Sequence, residues 1–144
     1  MIDKVVALFL GLFMCLSVVA SAATPEAEMM SAQQQKAASW IDTMLVKNKP
    51  TDALKLMSSE AQKDISDKKI IDMTKEMTQN FGKFKGARFI SWTALDQFQM
   101  FYLMSFEKEP MVRCIFIFNK KGEMMNFAMQ AIKPQGNSSK EKSK

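Results

Sequence analysis

Asn80-Phe81-Gly82-Lys83-Phe84-Lys85-Gly86 separates two halves of the chain that follow different periodicities. Upstream, apolar residues recur at helical spacing; downstream they alternate, with β-branched and aromatic residues in every run. Phe81 completes an apolar stripe begun by Ile70, Met73 and Met77, and Ser66 stands where the N-cap of that helix belongs. Gly82 occupies the C-cap position, where a positive φ is needed and a side chain is a steric burden.

Working back, Ala37, Trp40, Ile41, Met44 and Leu45 mark one face of a long amphipathic helix over Glu28–Val46. It should end at Lys47-Asn48-Lys49-Pro50, where proline forbids continuation. Thr51 reads as the N-cap of a short helix through Leu54 and Met57, and Ser58-Ser59-Glu60 as a weaker start of a turn or two ending near Ile65. The expectation is three helices.

Working forward, strands are expected at Ala87–Thr93, Gln97–Phe106, Met111–Phe118 and Met124–Ile132. Their short connections imply an antiparallel meander. Asn119-Lys120-Lys121-Gly122 reads as a type I turn with glycine at the bulge, pairing Asn119 with Glu123. If Phe106 likewise faces Met111, one face carries Phe98, Met100, Tyr102, Met104, Phe106, Met111, Arg113, Ile115, Ile117, Met125, Phe127 and Met129, and lies against the helices. The opposite face then holds Phe101, Leu103, Val112, Cys114 and Phe116 inside a polar rim of Gln97, Gln99, Ser105, Asn126 and Gln130. Such a centre is too apolar to be fully wet and predicts a partner, most simply a second copy, unless the tail or the N-terminal arm covers it.

At the amino terminus, Lys4 precedes an apolar run from Val5 to Val19, and Ala20-Ser21-Ala22-Ala23 follows it. This is the pattern of a secretory signal peptide over residues 1–23, cleaved after Ala22 or Ala23, and shorter than the ~20 apolar residues of a spanning helix. The chain is therefore expected to be exported, periplasmic or secreted, with no transmembrane segment after cleavage. Residues 24–36 form an arm and the start of the first helix, 37–132 a single α+β domain, and 133–144 a basic disordered tail. Of the formal +5 charge, the tail's four lysines and one glutamate supply +3. Its Gly136, Asn137, Ser138 and Ser139 offer no aromatic anchor, so it reads as a solvated end.

Three helices followed by a curved four-stranded meander resembles the cystatin-like, nuclear-transport-factor-2-like superfold. More specifically, Met77-Thr78-Gln79-Asn80-Phe81-Gly82-Lys83-Phe84-Lys85 and the closing Phe118-Asn119-Lys120-Lys121-Gly122 turn resemble a bacterial exported family of unknown function, sometimes found ahead of an α/β-hydrolase domain. Asp52-Ala53-Leu54-Lys55-Leu56-Met57-Ser58 and Phe106-Glu107-Lys108 are similar to it as well. The resemblance spans about Ala37 to Ile132 and implies a cone with a cavity between helices and sheet. Enzymes of that superfold, isomerases and dehydratases among them, place an Asp, Tyr or His in the cone.

The residues themselves restrict the chemistry. There is no histidine in the sequence, which removes imidazole as base, acid or metal ligand. No phosphate-cradling glycine loop, nucleophile elbow or zinc spacing occurs. Arg88 and Arg113 are the two arginines, and no basic stripe runs among surface aromatics, so no nucleic-acid partner is expected. Once Cys15 leaves with the signal, Cys114 remains alone and no intrachain disulfide is possible; mid-strand, it reads as an inert buried thiol.

On the expected inner face, Tyr102 as an oxyanion donor and Arg113 as a carboxylate or phosphate clamp would share a pocket with Met100, Met104, Met125, Phe127 and Met129. The bland alternative makes Tyr102 a core aromatic and lays the Arg113 stem over Met104 or Met129, toward water or a carboxylate such as Asp72 or Glu76. Of the twelve methionines left after cleavage, Met73, Met77, Met100, Met104, Met125 and Met129 are expected on the inner face, where they could line an adaptable apolar pocket, bind Cu(I), absorb oxidants or simply fill the core. The functional expectation is an exported non-catalytic binding or interaction module holding a small apolar or amphipathic molecule, with no cofactor and no metal. Its rivals are a dimerising protein that uses Phe101, Leu103 and Phe116 on the outer face, and an isomerase or dehydratase.

Overall fold

Four helices precede a four-stranded sheet in the structure, a computed structural model that describes residues 24–133. The expected signal peptide at 1–23 and all of the expected tail beyond Lys133 lie outside the described residues. Helix α1 spans Pro25–Ile41, with Thr24 accepting the Ala27 N–H at its N-cap and proline in its first turn, where no amide is needed. It runs on into a π-helical turn, Asp42–Val46, in which the Lys47 N–H reaches the Asp42 carbonyl at 2.8 Å.

Pro50 ends that run as expected, but it also opens the next helix. Helix α2 spans Pro50–Lys55 with Lys49 as N-cap, so Thr51 is not the cap. The weaker start at Ser58 is a helix in its own right, α3 over Ser59–Asp64, because the Ser58 hydroxyl accepts the Ala61 N–H at 3.1 Å. This makes four helices rather than three. Helix α4 spans Asp67–Phe81, capped by Ser66.

Strands β1 (Phe84–Ala94), β2 (Phe98–Phe106), β3 (Val112–Phe118) and β4 (Met124–Ala131) form an antiparallel meander in sequence order. The turn between β3 and β4 is the expected one: the Asn119 N–H donates to the Glu123 carbonyl at 2.9 Å, and Gly122 holds φ 78°. The turn between β2 and β3 is not. The Phe106 N–H closes on the Glu109 carbonyl at 2.9 Å, while the Glu107 and Lys108 amides are drawn to the Lys83 and Phe81 carbonyls. Met111 then falls outside the ladder, and β3 pairs one residue out of the expected register, with Tyr102 opposite Cys114 and Phe101 opposite Ile115.

That slip turns every β3 side chain over. Val112, Cys114, Phe116 and Phe118 enter the core, whereas Arg113, Ile115 and Ile117 face outward. The energetic reason is direct: this register buries four uncharged side chains, and the other would take a guanidinium out of water. A register shift next to Phe118, at Met125, then returns Phe127 and Met129 to the inner face.

The core lies between the helices and this inner face. Trp40 of α1 is fully buried, with its ring 5.2 Å from Phe116 and 4.6 Å from Phe127. Met44, Ile70, Met100, Met104 and Met124 fill the remaining space at or near zero exposure. Around one end, Lys36 Nζ donates to the Gly122 carbonyl at 2.7 Å, and Gln33 Oε1 accepts from Trp92 Nε1 at 2.7 Å. These bonds fasten α1 to the β3–β4 turn and to β1.

Candidate functional site

The residues expected to line one pocket are divided between two sides of the sheet. Met100 and Met104 are completely buried, Phe127 is nearly so, Met129 is half-buried on the same side, and Met125 is half-buried at the register shift. Tyr102 is also inside, edge-on to Phe89 and Phe116 with ring centroids 5.7 Å away in each case. Arg113 is not with them. It is exposed on the outer face, where its Nη2 donates to Gln130 Oε1 at 3.0 Å, and neither Asp72 nor Glu76 pairs with it. Phe116, expected outside, is fully buried.

Burial raises the Tyr102 phenol above its ordinary value, with the Cys114 thiol directly opposite adding to the effect. Burial pushes the Cys114 thiol far up as well, so it stays protonated and unreactive. No Asp or Glu is buried among the described residues, so Tyr102 has no desolvated carboxylate partner. No group of three or more His, Cys, Asp and Glu residues is placed to hold a metal ion among the described residues. None of their helices is long and apolar enough to cross a membrane.

What the interior does not offer, the surface does. On the outer face three rows cross the sheet: Arg88, Leu103, Arg113 and Gln130; then Ser91, Phe101, Ile115 and Ala128; then Thr93, Gln99, Ile117 and Asn126. Phe101, Leu103, Ile115 and Ile117 are contiguous on the two central strands and only half-buried. Ile115 and Ile117 stand on this face because β3 pairs one residue out of the expected register; Arg113 in the same strand carries the signal, because its parity marks the wet side.

Of the three grooves that open beside α4 among the described residues, two reach the sheet. One, of about 450 Å³, lies between the π-helical turn and the end of α4, floored by Met44, Met77, Phe84 and Phe106. The other, of about 210 Å³, runs between α4 and the outer edge of β4, lined by Met73, Met77, Phe81 and Met129 with Glu76 at its rim. No family model matches the chain, and no curated protein or solved structure is significantly similar to it.

Proposed function

We propose that this chain is an exported, non-catalytic interaction module of the nuclear-transport-factor-2-like type that works as a homodimer, packed through the outer sheet face. The observation that carries the reading is the group Phe101, Leu103, Ile115 and Ile117, four large apolar side chains left only partly buried on the central strands while the space under the sheet is filled by Trp40, Phe116 and buried methionines. An apolar patch of this kind on a small domain marks a contact surface. Like-charge repulsion does not oppose a second copy. The face carries its two cations, Arg88 and Arg113, in one row at one end, and the row at the far end, Thr93, Gln99, Ile117 and Asn126, is neutral. Two sheets stacked in opposite directions about the Phe101–Ile115 row set each arginine row over the partner's neutral row, without like charges meeting.

Analytical ultracentrifugation of the mature protein and a Leu103→Glu variant tests this. The wild type should sediment as a dimer. The variant should keep its circular dichroism spectrum and raise the dissociation constant about 100-fold or more, because a desolvated unpaired carboxylate costs several kcal/mol. A wild type that stays monomeric at high concentration, or a variant that dimerises equally well, overturns the reading.

A further inference from the structure

The two free edges of the sheet are built differently. Edge strand β1 is blunted: register shifts lie between Phe84 and Gly86 and between Phe89 and Ser91, and Lys83, Lys85 and Arg88 add charge along or beside it. Bulges and cations are the usual means by which an edge is kept from pairing with another chain. Edge strand β4 has neither protection beyond its start. From Met125 to Ile132 no residue is charged, and the register with β3 is regular from Ile117–Asn126 to Val112–Ala131. On its open side the Ser58 N–H donates to the Met124 carbonyl at 2.8 Å, and Asn126 Oδ1 accepts the Phe127 N–H at 2.8 Å. Beyond these, no backbone partner lies on that side of Ala128–Ala131 among the described residues.

The groove of about 210 Å³ lies directly against this open stretch. Its wall on the α4 side is Met73, Met77 and Phe81, each half-buried, and on the β4 side Met129. Thioether side chains of this kind adapt to varied apolar shapes. An unpaired strand edge beside an apolar trough is the arrangement of strand addition, in which main-chain hydrogen bonds give affinity and the trough receives alternate side chains.

We infer that β4 accepts an extended segment of a partner protein as a fifth strand, with apolar side chains at alternate positions entering the groove and a basic residue over Glu76. Glu76 is exposed, makes no salt bridge among the described residues, and is the groove's one charged lining residue. The chain's own residues 134–144 do not suit this place, since they include no large apolar side chain to set in the trough. The groove residues Met73, Met77, Phe81 and Met129 lie apart from the outer-face group Phe101, Leu103, Ile115 and Ile117, and the inference does not rest on that dimer contact.

The test uses a dye-labelled peptide alternating valine with threonine and carrying one lysine, against the full mature protein in its wild-type and Leu103→Glu forms. Fluorescence anisotropy should give saturable binding to both. Methylating alternate backbone nitrogens of the peptide should weaken it at least about 10-fold, since each lost amide removes a ladder bond. In the protein, Met73→Glu should cost a similar factor while Met73→Leu keeps affinity, and the amide shifts of Ala128, Met129, Gln130 and Ala131 should move on titration. Absence of binding, equal affinity for the methylated peptide, or shifts along β1 instead would overturn the assignment. So would a Leu103→Glu variant that still dimerises through β4, which would make the occupant a second copy.

Discussion

Gln33 and Trp92 show what a single polar residue costs and contributes in this core. Gln33 is completely buried in α1, and its Nε2 has no hydrogen-bond partner among the described residues, while its Oε1 takes the Trp92 indole N–H at 2.7 Å. One half of the amide is satisfied and the other is a standing penalty of ~1–3 kcal/mol. Trp92→Phe keeps a ring to stack on Phe98, whose centroid lies 5.5 Å away at an interplanar angle of 13°, but removes the donor. Urea denaturation should show a loss of about 1–3 kcal/mol beyond what the smaller ring accounts for. Adding Gln33→Met in that background should recover most of it, because both unmet polar atoms then leave together. A single variant as stable as the wild type would show that the bond contributes nothing.

The connection from α4 to β1 places its demands on one glycine and spares its neighbour. Gly82 holds φ 76°, and a Cβ there would stand 3.1 Å from both Glu107 Cβ and Lys108 Cγ and 3.3 Å from the Lys108 nitrogen. Gly86 has an ordinary φ and open space around the same position. Gly82→Ala should therefore lower the thermal midpoint through ~1–3 kcal/mol of strain, whereas Gly86→Ala should leave it unchanged or raise it through ~0.4–1 kcal/mol of lost unfolded-state entropy. Equal midpoints for the two variants would refute the strain argument. Gly82 was legible because helix periodicity, a stop and a strand start meet there, and the Asn119–Gly122 turn was legible because its residues dictate their own geometry. The β2–β3 register was not, because Glu107-Lys108-Glu109-Pro110 has no turn chemistry of its own and is set by backbone bonds to Phe81 and Lys83, 24 or more positions back in the chain. One slipped residue there exchanges Arg113 for Cys114 on the inner face and leaves Arg113 outside with Ile115 and Ile117. The α4–β4 groove was legible in part: the apolar stripe of Met73 and Met77 and the inward parity of Met129 set these methionines on facing sides of the core, and only the gap left between them depends on how the elements pack.

At the scale of the whole molecule the helices cover one side of the sheet, and the domain is held by burial with no disulfide among its described residues. Its two buried titratable groups, Cys114 and Tyr102, face each other on the covered side, and burial raises both. Each is neutral when protonated, so a folded-state value above the unfolded one favours folding at low pH. The full contribution is present below the ordinary thiol value of about 8.5, and it is lost progressively as the pH rises above that, with the phenol following above about 10. Urea unfolding of the mature protein should then be flat from about pH 6 to 8 and weaken above, with a slope approaching ~1.4 kcal/mol per pH unit while the thiol alone titrates. Cys114→Ala lowers stability at every pH by the packing it removes, but between about pH 9 and 10 its slope should be shallower than that of the wild type by most of that amount. Parallel slopes in the two proteins would mean that Cys114 ionises without unfolding the sheet that covers it. Fast reaction of the native thiol with a disulfide reagent at neutral pH would contradict the same burial by a second route.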